Sequence, residues 1–160
     1  PCWTLRHWSL QEQPRMEGKS NFQVEAKALC IGYCCCLLAT IIHFIDNYVF
    51  LEEYAYVPSE PWMIPVSWAV QSCIGLAGVV RCTDRRHRTL LWLLVCCIYS
   101  CAVMIGLGHF LYTPIWVLSI RAIGTIFLEV TMGFVLLTFV LALVGGQAPR
   151  HPYFHLALQI

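Results

Sequence analysis

The amino-acid sequence predicts an all-α integral membrane protein built as a four-helix bundle, and three observations lead to this fold class. Of the 160 residues, 59% are hydrophobic and only 12% are charged, whereas a soluble domain averages about 25% charged residues. The chain contains four apolar runs that are long enough to span roughly 30 Å of hydrocarbon as helices. The ten-residue alternation typical of membrane β-barrels is absent. An isolated strand would leave its backbone groups unpaired in lipid, so only helices fit.

The apolar runs predict where the membrane is crossed, and together they form a four-span transmembrane domain over residues 28–144. The first run is interrupted only by His43, and the second contains no charged residue. The third and fourth runs come from one long stretch, which we divide at His109–Pro114 because proline ends a helix. Gly145 and Gly146 end the last run. The predicted spans are about 28–45, 62–80, 89–108 and 115–144.

Basic residues predict the orientation of the spans, since loops rich in Lys and Arg stay in the cytoplasm. The loop between spans two and three contains four arginines and one acid, whereas the loop between spans one and two contains four acids and no base. We therefore expect Arg81–Arg88 and both termini to be cytoplasmic and Asp46–Pro61 to face outward. Six aromatic residues are expected near the outer headgroup layer: Tyr48, Tyr54, Tyr56, Trp62, Tyr112 and Trp116.

The regions outside the spans are short. Residues 1–27 form a polar N-terminal segment, and residues 145–160 form a short cytoplasmic tail. Because the chain opens with Pro1 and Met16 lies just before the first span, we interpret residues 1–15 as leader or upstream sequence. The formal net charge of +1 supplies no long-range field for nucleic acid. Membrane lipids are the expected partners, and other membrane proteins or a second copy are further candidates.

Ten cysteines are present, and most of them lie inside the predicted spans. Cysteine in a span behaves as a small apolar residue that lets helices approach closely. The consecutive Cys34, Cys35 and Cys36 point around a helix, whereas a soft-metal site needs converging thiolates. We therefore favour packing over copper or redox chemistry, and we expect no cofactor and no metal site.

Glu129 is the most informative residue, because a charged carboxylate near the middle of a span costs at least about 2.5 to 3.5 kcal/mol. Thr125 shares its helix face at a four-residue spacing, and Gln71 and Tyr99 lie at the midpoints of spans two and three. These four residues predict an intramembrane polar site. Two roles stay open for Glu129. It is either a neutral, protonated acid that joins helices through Gln71 or Tyr99, or a ligand-facing or proton-carrying group.

A second group of polar residues, the outer polar cluster, is predicted near the non-cytoplasmic surface. It consists of His43, Asp46, Asn47, His109 and Arg121. Histidines beside carboxylates suit zinc, iron or acid–base chemistry. The chain lacks HExxH, ExxH and CxxC spacings of the kind such sites use, which disfavours a metal or catalytic role. We expect instead a hydrogen-bonded network in which Asp46 or Glu52 neutralises Arg121.

The layout resembles the four-span group of sterol isomerases and sigma-2-receptor-like proteins. The corresponding features here are Asp46 at the end of span one, Pro61 with Trp62 opening span two, the basic inner loop and Glu129. The acid that this group uses on span two is replaced by Gln71. The resemblance implies a membrane enzyme of sterol-isomerase type as an alternative function.

Three functions therefore stay open. The preferred prediction is a non-enzymatic module that binds a lipid or another hydrophobic ligand at the intramembrane polar site around Glu129. The first alternative is an accessory or assembly subunit of a larger membrane complex. The second alternative is a membrane enzyme, of sterol-isomerase type or with a metal site, that uses His43, Asp46 and His109.

Overall fold

The computed structural model describes the backbone of residues 9–54, 62–84 and 86–147 and the side chains of residues 21–54, 62–84 and 86–146. Within these ranges all regular structure is helical, and four helical segments are long and apolar enough to cross a membrane. The predicted all-α fold class is confirmed, and the chain is a multi-pass membrane protein. The apolar segments are Asn21–Val49, Met63–Thr83, Leu90–Tyr112 and Ile120–Gly146.

The described residues form five α-helices and two short 3-10 turns, and the third membrane segment combines α-helical and 3-10 winding. The α-helices are α1 (Ser9–Val49), α2 (Met63–Thr83), α3 (Leu90–Val103), α4 (His109–Tyr112) and α5 (Ile120–Gln147). A 3-10 turn, Met104–Gly108, joins α3 to α4, and another, Leu51–Glu53, follows α1. Residues 1–8, Tyr56, Pro61, Arg85 and the part of the predicted tail beyond residue 147 lie outside the described residues.

Helix α1 begins inside the segment that the sequence predicts as a polar N-terminal region. The residues just before the predicted first span include Gln23, Glu25, Ala26 and Lys27, which are good helix formers. The candidate membrane span within this helix is Asn21–Val49, and α1 runs without a break from Ser9, so the end of the predicted polar segment and the first span form one continuous helix. The boundary predicted between the polar N-terminal segment and the transmembrane domain therefore falls inside a helix, and it stays a prediction from the amino-acid composition.

Helix α5 begins at Ile120, later than the residue 115 predicted for the fourth span. Ser119 caps the helix, because its Oγ accepts a hydrogen bond from the Ala122 backbone N–H at 3.2 Å. The Ser119 carbonyl accepts the Ile123 N–H at 3.0 Å. Serine is a preferred residue at this position, and the apolar residues before it form a turn closed by a Val117 N–H to Pro114 carbonyl bond of 2.9 Å.

The four membrane segments form a ring. Helix α1 packs against α2 and α5, and α3 packs against the same two helices. The main core is apolar and includes Leu29, Leu93, Leu136 and Val140. A smaller cluster at the end where α5 begins consists of Tyr54, Leu118, Ala122 and Ile126.

Close contact between α2 and α3 depends on Gly75. A Cβ added at this residue would lie 2.6 Å from Cδ2 of the Tyr99 ring, which is shorter than any normal carbon contact. Tyr99 is fully buried and its ring tilts against Tyr33 with centroids 5.3 Å apart. The absence of a side chain at Gly75 therefore lets the two helices approach, as small residues do in membrane bundles.

The cysteines in the described part of the chain are free. Cys34 and Cys35 are exposed on the surface of the bundle, whereas Cys36 is buried, so the three thiols diverge around α1. Cys82 and Cys96 are buried with their Sγ atoms 4.0 Å apart. Thiols that diverge around one helix, or lie buried between two helices, are compatible with a packing role, which stays a prediction.

Arg88 ties three helices together at the end of the bundle opposite to Tyr54. Its Nε donates to the Cys82 carbonyl at 3.0 Å, and its guanidinium pairs with Glu25 on α1. The same group lies 4.4 Å from the centre of the Phe22 ring, a distance at which cation and ring attract. These contacts fix the start of α3 against the end of α2.

Candidate functional site

The Glu129 carboxyl is buried between α5 and α1. Its Oε2 lies 3.5 Å from Nε2 of His43, and both residues are only 2% exposed. On its other side the carboxyl touches Gly106, where an added Cβ would lie 2.7 Å from Oε2. The sequence predicts Gln71 or Tyr99 as the partner of Glu129. Within the described residues neither of them forms a hydrogen bond to it, and His43 occupies that place.

His43 is held in one orientation by two hydrogen bonds. The Thr125 hydroxyl donates to the Ala122 carbonyl at 3.0 Å, so it can only accept from Nδ1 of His43, which lies 3.4 Å away. The proton of the neutral ring is therefore on Nδ1. Nε2 then accepts from Nδ2 of Asn47 at 3.0 Å. Because a ring nitrogen has one lone pair, Nε2 offers no donor to Glu129.

A cavity of about 220 Å³ lies beside this pair, and we call it the polar chamber. Its wall contains residues from all four membrane segments, and the carboxyl, imidazole and amide groups face the same space. Its polar lining residues are His43, Asn47, Ser67, Gln71, His109 and Glu129. The chamber therefore combines members of both polar groups that the sequence predicts.

Tyr54 covers the histidines from the end of the bundle where α5 begins. Its ring lies edge-on to His109 with centroids 4.9 Å apart, and the His43 and His109 rings are 5.4 Å apart. The Tyr54 hydroxyl donates to Asp46, and burial raises the pKa of Tyr54 above its usual range. The sequence places Tyr54 in the headgroup layer, whereas here it is buried because its hydroxyl finds a carboxylate inside the protein.

Three charged residues form a separate cluster next to Tyr54, the outer ion cluster of Asp46, Glu53 and Arg121. Arg121 pairs with Asp46 and with Glu53, whose Oε1 lies 2.9 Å from Nη2. Its guanidinium also lies 3.3 Å from the centre of the Phe50 ring. The Ser119 hydroxyl donates to Glu53 at 2.6 Å. The partners of Arg121 are thus Asp46 and Glu53, whereas the sequence suggests Asp46 or Glu52.

The structure regroups the predicted site residues. The chamber takes Glu129 and Gln71 from the intramembrane site and His43, Asn47 and His109 from the outer polar cluster. Thr125 contacts it through His43. Asp46 and Arg121 pair with each other outside it, and Tyr99 packs against Tyr33. Residues that the sequence analysis did not single out are Phe44, Ser67 and Gly106.

A second cavity of about 360 Å³ lies on the membrane side of α1 and α2, and we call it the apolar groove. Its lining includes Ile41, Phe44, Ile45, Ile64, Pro65 and Trp68. The Trp68 Nε1–H donates to Thr40 Oγ1 at 3.1 Å, which fixes the indole against α1. Phe44 borders both the groove and the polar chamber.

The described residues contain no group of three or more His, Cys, Asp or Glu side chains arranged to hold a metal ion. His43 and His109 approach each other, but Asp46 points to Tyr54 and Arg121. Asp46 is therefore not placed to join the two histidines as a metal ligand.

No protein-family model matches the chain, and comparisons with curated proteins and with solved structures return no match. The likeness to the sterol-isomerase group therefore stays a resemblance of layout. The geometry of the chamber and the groove is the basis for assigning a function.

Proposed function

We propose that this protein is a non-enzymatic membrane module that binds one amphipathic molecule, a lipid or a similar hydrophobic ligand. The polar end of the ligand occupies the polar chamber, and its apolar chain lies in the apolar groove. The observation that carries this proposal is the position of Phe44, which borders both cavities. The two cavities are therefore adjacent at a single side chain, and the proposal requires that one molecule pass it.

The sizes and linings of the two cavities support this proposal. Together they fall within the range of about 300 to 1,000 Å³ that is usual for small-molecule sites. The apolar groove is bordered by Ile45 and Tyr48, which are largely exposed on the membrane side of α1. A hydrocarbon chain in the groove would thus remain in contact with the bilayer, where it is already soluble.

The placement of polar groups also favours a ligand over a purely structural role. A carboxyl in the hydrocarbon region is costly unless partners satisfy it, and the polar group that the structure places beside Glu129 is the His43 ring, at 3.5 Å. A structural network would be expected to satisfy its own members. Here Oδ1 of Asn47 is buried without a hydrogen-bond partner, so the network does not satisfy all of its own members.

The enzymatic alternative receives less support. The acid and base group that the sequence suggests would require Asp46 to approach His43 or His109, and Asp46 is instead engaged by Arg121 and Tyr54. The role of an accessory subunit has no specific observation in its favour. It remains the outcome to accept if purification yields a stoichiometric polypeptide in place of a lipid.

The test is to purify the protein in mild detergent and to identify bound small molecules by native mass spectrometry and lipid extraction. We expect one amphiphile per chain. Replacing Phe44 with Trp should obstruct the junction between the two cavities and lower the occupancy. Phe134, which is exposed on α5, provides the matched control, and Phe134→Trp should leave the occupancy unchanged. A wild-type protein without any bound amphiphile, or equal occupancy in both variants, would contradict the proposal.

We further infer that the end of the bundle carrying Arg81, Arg86 and Arg88 is cytoplasmic and that the end carrying the outer ion cluster faces the opposite compartment. Reporter cysteines at Glu52 and Arg86, placed in a cysteine-depleted variant, test this orientation with an impermeant reagent. Only the Glu52→Cys protein should react from the non-cytoplasmic side. Reaction of the Arg86→Cys protein from that side would reverse the assignment.

A further inference from the structure

We propose that the seam between α2 and α3 binds one anionic phospholipid, whose phosphate lies at Arg81 and whose acyl chains lie along the two helices towards the middle of the bundle. This site lies at the end of the bundle opposite to Tyr54, apart from the polar chamber and the apolar groove. The inference goes beyond the proposed function and does not depend on it. It follows from a positive charge that is left unpaired at this end and from the apolar surface beside it.

Arg81 lies over the line where α2 meets α3. It belongs to the last turn of α2 and is exposed. Its guanidinium lies 5.6 Å from the centre of the Trp92 ring, in the first turn of α3, a distance at which a cation and an aromatic ring attract. One turn earlier on α2, a Cβ added at Gly78 would lie 3.1 Å from Cγ1 of Val95. The two helices are therefore in contact next to the arginine, and the Trp92 ring holds the guanidinium at their seam.

The charge of Arg81 is not neutralised within the described part of the chain. Glu25 pairs with Arg88. Asp84 accepts the backbone N–H of the residue two positions later at 2.9 Å, and its carboxylate lies 3.7 Å from Nε2 of His87. Among the described residues no carboxylate forms an ion pair with Arg81. Its positive charge is therefore available to an anion from outside the chain.

From Arg81 towards the middle of the bundle, the surface on both sides of the seam is apolar. On α2, Ile74 shares the helix face of Arg81 at a seven-residue spacing and is 47% exposed. On α3, Leu91 and Ile98 lie four residues before and three residues after Val95, on the same side of the helix, and each is 64% exposed. A cation thus lies directly beside an apolar surface that acyl chains can cover.

A phospholipid has the two parts that this seam can bind. The planar guanidinium of Arg81 can form paired hydrogen bonds with phosphate oxygens, and the apolar surface beside it favours a lipid over free phosphate. A zwitterionic headgroup carries its own cation next to the phosphate, whereas an anionic lipid brings the net negative charge that balances Arg81. The orientation proposed above would place this site in the leaflet that carries anionic lipids.

The experiment is a competition between two lipids that share their acyl chains and differ in net charge. Dioleoylphosphatidylglycerol, which is anionic, and dioleoylphosphatidylcholine, which is zwitterionic, are added at equal concentration to the purified protein in non-ionic detergent. Native mass spectrometry measures the ratio of the two bound lipids. Because the polar chamber and the apolar groove can also hold an amphiphile, this ratio is compared between variants instead of the total number of bound lipids.

Three variants test the position of the headgroup. Arg81→Gln removes the cation, and Arg81→Met removes it while keeping a long apolar side chain, so that one variant remains if the other fails to fold. Arg86→Gln is the matched control, because Arg86 is exposed on the loop between α2 and α3 and its loss changes the net charge by the same amount. Helix content and elution volume establish that each variant is folded.

We expect the wild-type protein to prefer phosphatidylglycerol by about fivefold or more, which is the scale of one arginine near an anionic lipid. Both Arg81 variants should lower this ratio to about one, whereas Arg86→Gln should retain it. Equal binding of the two lipids to the wild-type protein would overturn the inference. A loss in Arg86→Gln as large as that in the Arg81 variants would also overturn it, because the general charge of this end would then explain the preference.

A last arm separates a lipid site from a site for free phosphate. Glycerol phosphate carries the phosphate without acyl chains, so at a concentration equal to that of the lipids it should not displace phosphatidylglycerol. Displacement would indicate a site for soluble phosphates and would overturn the assignment to a lipid. The proposed function is tested by the variants at Phe44 and Phe134, so either proposal can fail while the other stands.

Discussion

Replacing Arg121 with Gln should destabilise the end of the bundle where α5 begins, because it leaves a buried carboxylate without its cation. Asp46 is 7% exposed and Arg121 is 35% exposed in their ion pair. Removing one partner of a fully buried pair costs about 3 to 5 kcal/mol. Since a third of the arginine side chain reaches solvent, and an exposed pair contributes only about 0.2 to 1 kcal/mol, we place the loss at about 2 kcal/mol.

The measurement is thermal unfolding in detergent, followed by the helical circular dichroism signal. For a chain of this size, about 1 kcal/mol corresponds to about 2 to 4 °C in Tm, so Arg121→Gln should lower Tm by about 4 to 8 °C. Glu53 pairs with the same arginine but is 37% exposed. Glu53→Gln should therefore lower Tm by about 3 °C or less.

A double variant separates the ion pair from the other contacts of Arg121. With Asp46→Asn added to Arg121→Gln, no buried charge remains at this ion pair, and at least about half of the lost stability should return. Tyr54 can still donate to the amide oxygen that the Asp46→Asn change introduces. Losses in the double variant that equal the sum of the two single variants, or a Glu53→Gln loss as large as that of Arg121→Gln, would refute this reasoning.

Two further predictions test the packing between α2 and α3. Gly75→Ala places a Cβ against the buried Tyr99 ring, 2.6 Å from Cδ2, and should cost about 1 to 3 kcal/mol of stability as overpacking. The loss is measured by thermal unfolding. Gly108→Ala is the control, because its Cβ meets nothing within 4 Å and should leave Tm unchanged or slightly raised. Cys82 and Cys96, with Sγ atoms 4.0 Å apart, should form a disulfide when the detergent-purified protein is treated with an apolar copper oxidant, detected as a linked peptide pair by mass spectrometry. The linked pair should disappear in Cys96→Ser, and its absence from the oxidised wild-type protein would contradict the placement of these helices.

The sequence was sufficient to predict the fold class and the burial of Glu129, because both depend on hydrophobic composition along the chain. The fourth helix was placed less accurately, since a hydropathy pattern cannot distinguish an apolar turn from the helix that follows it. The signal for its start was nonetheless present at Ser119, whose side chain caps α5. A search for capping residues inside apolar stretches would have located this boundary.

The partners of Glu129 could not be predicted, because they depend on how each helix is rotated and how far it is shifted along its neighbour. Gln71 and Tyr99 both lie near the middle of their spans, yet Gln71 lines the chamber and Tyr99 turns towards Tyr33. His43 was assigned to a different depth from Glu129. Helices α1 and α5 pack so that the imidazole and the carboxyl meet at 3.5 Å. The spacing of residues along either helix cannot predict this contact, because it depends on how the two helices are placed against each other.

The 3-10 turn between α3 and α4 determines which side chain of the third membrane segment reaches the polar chamber. Each residue advances about 100° around an α-helix and about 120° around a 3-10 helix. From Val103 to His109, α-helical winding would accumulate about 600°, whereas continuous 3-10 winding accumulates about 720°, two whole turns. Val103 is buried in the core, so the tighter winding brings His109 back to the same inward face. With α-helical winding in place of the 3-10 turn, the imidazole would be rotated by about 120° away from that face. The winding of the backbone therefore helps to determine which side chains line the chamber.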